Sequence, residues 1–99
     1  MKLQKIEIII ANSFLQDLIQ QLEGCGIHGY TALEIFRGKG TQRGEQLSEG
    51  LLPITRNSLV FTITEEKLSE QVIQKLDPFI SERGGVLIVT EVTHAIGIS

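Results

Sequence analysis

Tyr30-Thr-Ala-Leu-Glu-Ile-Phe-Arg-Gly-Lys-Gly-Thr-Gln-Arg-Gly-Glu45 is the stretch on which the reading of the fold turns. It starts with strand character over 30–36 and passes into a run with glycines at 38, 40 and 44, regaining strand character only near Leu59. Most connections between elements are roughly 4–6 residues, and much longer ones tend to be functional or disordered. Segment 37–57 is therefore the expected functional loop, and ordering it costs entropy that a ligand or partner has to offset.

Upstream of this stretch, Ile6, Ile8 and Ile10 alternate on one face of a strand spanning Leu3–Ala11. Ser13-Phe-Leu-Gln16 has the pattern of a capping box. Leu15, Leu18, Ile19 and Leu22 then follow at helical spacing before Gly24 and Gly26. Downstream, Leu59, Phe61 and Ile63 alternate with Val60 and Thr62 in a third strand, and Thr64 is placed to cap a second helix. That helix carries Leu68, Val72, Leu76 and Phe79 as its apolar stripe. Pro78 is expected to kink it or, with Asp77 as a new cap, to start a short extra turn. Arg83-Gly-Gly85 breaks the chain, Val86–Val92 reads as a fourth strand, and 94–99 as a short edge strand or tail.

The order is strand, helix, strand, strand, helix, strand. Two right-handed halves joined in this way give an α+β, ferredoxin-like domain: an antiparallel four-stranded sheet with both helices on one face, expected to occupy all of 1–99. The other face is expected to present Ile9, Val60, Leu87 and Val89. A sheet apolar on both sides with helices for only one needs a partner for the other, and self-association is the simplest source. On that reading Val89→Asp dissociates the assembly.

Composition narrows the function. No apolar run approaches the roughly 18 residues of a membrane span, and Ile8 to Ala11 is too short for a signal-peptide core, so a soluble cytoplasmic protein is expected. Cys25 is the only cysteine, which rules out an intrachain disulfide. A formal charge of −3 argues against nucleic acid as a partner. Yet Arg37, Lys39 and Arg43 put +3 into seven residues, leaving −6 on the rest, a distribution suited to a small anion.

The glycines do not form a dinucleotide fingerprint: their spacing is Gly-x-Gly-x-x-x-Gly and a strand follows instead of a helix. A Gly-x-x-x-x-Gly-Lys-Ser/Thr phosphate loop is absent from the sequence. What remains is a loop whose glycines let backbone amides approach an anion, with three cations to neutralise it. Phosphate binding and a merely solvated loop both fit that composition.

Gly29-Tyr-Thr-Ala-Leu-Glu-Ile-Phe-Arg-Gly-Lys-Gly-Thr-Gln-Arg-Gly44 resembles the Gly-x-Thr-x-x-Glu-x-x-Gly-x-Gly-x-Gln-Lys/Arg-Gly stretch of the P-II signalling family, with one additional residue before Gly38. The resemblance spans roughly residues 3 to 92. It implies a homotrimer that binds an adenine nucleotide in clefts between subunits and contacts a target protein through the long T-loop, here about 37–57. Carried over residue by residue, Gly38, Gly40 and Gln42 resemble the start of the T-loop, where phosphates and, in some members, a small carboxylate effector are held. Thr31 resembles the threonine that meets adenine from a neighbouring subunit, and Thr62 is placed with the nucleotide contacts. Arg56 resembles the basic residue at the T-loop's end that reaches phosphate. Arg83, Gly84 and Gly85 stand where the second phosphate loop, the B-loop, would be. Lys39, Arg43 and Glu45 fall to partner binding, the target being a protein such as a transporter or one of carbon or nitrogen metabolism.

The departures are specific. The Arg83-Gly-Gly85 loop is short and lacks the family's Gly-Asp-Gly-Lys core; the T-loop stretch has no tyrosine to accept a nucleotidyl group; and an Arg-Thr-Gly-Glu segment is missing after the fourth strand. These features imply a P-II-like relative that takes AMP or ADP at least as well as ATP, or a cyclic nucleotide. The resemblance leaves bicarbonate and metal open as further effectors.

Two other readings stand beside this one. Cys25 and His28 have a Cys-x-x-His spacing that supplies two ligands to a divalent-metal-binding trimer of the metal-tolerance type, although a closed zinc site needs four. An enzyme acting on a nucleotide is the third, with little to carry it: Ser13 is better placed as a cap than as a nucleophile, and Glu65 and Glu66 complement a helix dipole. Glu34, on the same strand face as Ala32 and Phe36, fits a ligand contact, a subunit contact or a solvated edge equally.

Overall fold

A computed structural model describes residues 2–36 and 56–98. The elements are β1 (Leu3–Ala11), a 3-10 turn (Asn12–Phe14), α1 (Leu15–Cys25), β2 (Thr31–Ile35), β3 (Asn57–Glu65), α2 (Glu66–Arg83) and β4 (Val86–Val92). They form one sheet in the order β2-β3-β1-β4 with every neighbouring pair antiparallel. The expected ferredoxin-like arrangement is the one observed. Ile6, Ile8 and Ile10 of β1 join Leu18 and Leu22 of α1 and Val72, Leu76, Phe79 and Ile80 of α2 in a single core. Each such side chain contributes roughly 1.5–3 kcal/mol through burial.

The register decides which side chains lie beneath the helices. Ile6 stands opposite Thr62 and Val89, Ile8 opposite Val60 and Leu87, and Ile10 opposite Ser58. Residues directly opposite in an antiparallel ladder point to the same side. Val60, Leu87 and Val89 therefore belong to the helix side, which corrects their expected placement on the open face; Ile9 alone of the four is where it was expected. The open face carries Ile9, Leu33, Leu59, Phe61, Val86 and Ile88, with Lys5 and Glu7 in an ion pair at 3.7 Å and the Lys5 ammonium 4.8 Å from the Phe61 ring centre. Among these, Leu33, Val86 and Ile88 are exposed in the single chain.

Helix boundaries differ from the sequence signals in three places. The 3-10 turn takes up Ser13, α1 starts at Leu15, and no side chain caps it, so the Ser13–Gln16 box does not form. At α2 the strand runs on through Thr64 to Glu65, and the Glu66 N–H donates to the Lys2 carbonyl at 3.1 Å instead of to a threonine cap. Pro78 does not divide α2. It is exposed, so the carbonyl one turn earlier that lacks its N–H partner is on the wet side of the helix, where water serves it. Asp77 accepts a hydrogen bond from the Ser81 hydroxyl at 3.1 Å and starts no new turn. Residues 93–98 form no strand.

Gly85 joins α2 to β4 where the backbones nearly touch. A Cβ there would lie 2.8 Å from the Ile9 carbonyl oxygen, while the Gly85 N–H donates to the Ile80 carbonyl at 3.1 Å. Backbone, not a flexible side chain, is in the way. Gly85→Ala is thus expected to cost about 1–3 kcal/mol, in the range of other overpacking changes. In a domain of this size that lowers the melting midpoint by roughly 4–8 °C per kcal/mol, measurable by calorimetry. An unchanged midpoint would mean that β4 shifts freely.

Candidate functional site

The end of β1, the start of β3, the start of β4 and the end of α2 converge at one end of the sheet. Two local contacts fix the entry to β3. The Asn12 N–H donates to the Arg56 carbonyl at 2.7 Å, and the buried Ser58 hydroxyl donates to the Asn12 side-chain oxygen. The Arg56 guanidinium donates to Glu34 of β2 at 3.1 Å. Both side chains are more than half exposed, so the pair adds little stability, but it spans the two strand ends from which segment 37–55 departs and to which it returns. Asn12 and Ser58 were not singled out by sequence reading, which put its cap one residue later at Ser13.

Arg83, the second basic residue at this end, lies against aromatic faces. Its guanidinium sits 3.9 Å from the Phe79 ring centre and 5.4 Å from that of Phe14. Its Nη1 donates to the Phe79 carbonyl at 3.1 Å and stands 3.7 Å from Glu82, while Nε is buried with no partner among the described residues. Stacking on rings and bonding to a last-turn carbonyl hold the fork at the helix C-terminus. Gly84 and Gly85 follow directly. Arg56, Arg83, Gly84 and Gly85 thus share one end of the molecule. Gly38, Lys39, Gly40, Gln42, Arg43 and Glu45 lie outside the described residues.

Thr31 and Thr62 are at the opposite end. There an open groove of about 360 Å3 is lined by residues 26–31, residues 61–64, Leu68 and Ile98. Thr31 is exposed, opposite Phe61 in the ladder. Thr62 is buried and donates its hydroxyl proton to the Gly29 carbonyl at 2.5 Å, which ties the 26–31 turn to β3. Arg56 directly precedes β3 and Thr62 lies six residues further along, about 20 Å at strand rise. One chain therefore does not bring the two sets together. Tyr30, also in the groove, was read only as the start of a strand, and Ile98 only as tail; the groove is made by the third dimension, which no local pattern encodes.

Cys25 is half-buried at the end of α1 and His28 is exposed. Among the described residues, no group of three or more histidine, cysteine or acidic side chains is gathered for a metal. No described helix is long and apolar enough to cross a membrane.

An antiparallel ferredoxin-like sheet with a long glycine-rich segment between its second and third strands defines the class of domain. The chain belongs to the P-II family: the family model described as Nitrogen regulatory protein P-II matches residues 3–99. Among solved structures, it is similar to CPII from Thiomonas intermedia K12 bound to ADP and bicarbonate, at 25% identity over 93% of this chain and 87% of that one, with a TM-score of 0.75. The same nitrogen regulatory PII-like protein bound to ADP, AMP and bicarbonate aligns at 21% identity over 99% and 98%, with a TM-score of 0.76. The B. subtilis GlnK–ATP complex aligns at 18% identity over 98% and 89%, with a TM-score of 0.70. Comparison with curated protein sequences gives no match.

Proposed function

We propose that this chain is a regulatory protein that assembles as a homotrimer, binds an adenine nucleotide between subunits, and relays occupancy to a target protein through segment 37–57. The observation that carries this reading is the division of the candidate site between opposite ends of one sheet. Arg56, Arg83, Gly84 and Gly85 offer cationic forks and backbone at one end; Thr31 and the groove beside it offer a cradle for a ring at the other. A neighbouring copy docked through the apolar open face supplies the half that each chain lacks. CPII and GlnK, similar in fold, are known bound to ADP, AMP, bicarbonate or ATP, which supports the choice of ligand.

In this arrangement the guanidinium of Arg56 meets phosphate with a planar fork, and Gly38, Gly40 and Gln42 add donors from the start of the loop. Lys39, Arg43 and Glu45 face the target, a protein such as a transporter or one of carbon or nitrogen metabolism. With only Arg83-Gly-Gly85 for a second phosphate loop, AMP and ADP bind at least as well as ATP. The role is binding without turnover. Light scattering for mass, combined with calorimetry using AMP, ADP, ATP and cyclic nucleotides, tests it. A trimeric mass with submillimolar binding of at least one nucleotide is expected; a monomer, or a trimer with no binding at millimolar nucleotide, overturns it.

A further inference from the structure

Beyond β4 the chain returns toward the groove beside Thr31, and the exposure of two isoleucines marks its course. Ile96 is 87% exposed, whereas Ile98 is 47% exposed because it forms part of the groove wall with Tyr30, Thr31, Thr64 and Leu68. Between them Gly97 has φ = 90°, a conformation that bends the chain back and that a side chain would strain. The groove is otherwise lined by residues 26–31, by Thr62 and Thr64, and by Phe61, Ile63 and Leu68, a mix of polar and apolar groups suited to a flat heterocycle. Among its apolar members Ile98 is the one contributed from beyond β4, and it suits the ring's apolar face.

We infer that Ile98 is a binding residue for the nucleobase: it closes the groove over the ring, and Gly97 sets the turn that delivers it. The inference rests on the nucleotide reading above and assigns it a contact from residues 93–98, where the family's Arg-Thr-Gly-Glu has no counterpart. An aliphatic wall retains the base by excluding water from its face instead of neutralising phosphate.

Tyr30 is the only tyrosine, and the chain has no tryptophan, so intrinsic fluorescence reports on this groove alone. ADP titrations of the wild type, Ile98→Ser, Ile98→Leu and Gly97→Ala, followed by Tyr30 emission and by calorimetry, test the assignment. Ile98→Ser is expected to weaken ADP about tenfold, or about 1.4 kcal/mol, with an unchanged melting midpoint and mass. Ile98→Leu should stay within twofold of wild type, and Gly97→Ala should fall between the two. If the wild type binds ADP and Ile98→Ser binds it equally well, Ile98 is no part of the site, and the nucleotide reading survives without it. If the wild type neither binds ADP at millimolar concentration nor changes its Tyr30 emission, both fall together.

Discussion

Leu33→Asp should convert the assembly to folded monomers. Leu33 lies on β2 opposite Leu59 and is 51% exposed in the single chain, on the sheet face the helices leave open. A carboxylate there costs the isolated subunit little, since water reaches it. Docked against another copy it becomes an uncompensated buried charge, worth roughly 3–5 kcal/mol. Light scattering should therefore show the monomer mass while circular dichroism remains that of the wild type. Val89→Asp supplies the contrast. Val89 packs against the core on the helix side, so this change should unfold the subunit instead of separating intact ones. If Leu33→Asp remains fully assembled, the open face is not the subunit contact, and the composite nucleotide site loses its basis.

Arg56→Ala should weaken ADP binding by about 1.5–3 kcal/mol, the worth of a hydrogen bond to a charged group, or roughly ten- to 150-fold. Mass should not change, because the guanidinium is exposed and its only described ion pair, with Glu34, is a surface one. Glu34→Gln separates two explanations of such a loss. It releases the guanidinium while leaving it in place, and so should not weaken ADP. An equal loss in Glu34→Gln would mean that the strand-end pair, and not the phosphate contact, sets affinity; calorimetry on both variants decides between them.

Much of the fold was legible because local chemistry and global topology agree. Three isoleucines in alternation set β1, and two apolar stripes at helical spacing set α1 and α2. What failed was the side assignment of β3 and β4. In β3 the larger side chains Leu59, Phe61 and Ile63 face away from the helices, while Ser58, Val60 and Thr62 lie beneath them. A strand apolar on both faces carries no period-2 signal to choose between them, and size misleads when the larger side chains lie on the open face. Capping failed for a different reason: Ser13 and Thr64 have suitable side chains, but tertiary contacts moved the helix starts past them. The site was legible only as separate residues. Arg56 and Arg83 stood out as basic residues, yet their placement at one end, the pairing of Arg56 with Glu34, the stacking of Arg83 on two rings and the groove with Tyr30 and Ile98 depend on approaches between distant parts of the chain.

The anchorage at the start of β3 has a consequence for how such proteins diversify. Asn12 holds the Arg56 carbonyl and Ser58 hydroxyl, and Ile35 at the end of β2 pairs with Asn57, so both strand ends are secured by residues outside 37–55. Loop-closure entropy grows only slowly with length. Exchanging the intervening sequence for one of different length is therefore expected to leave the scaffold's own bracing untouched, with circular dichroism and melting midpoint unchanged.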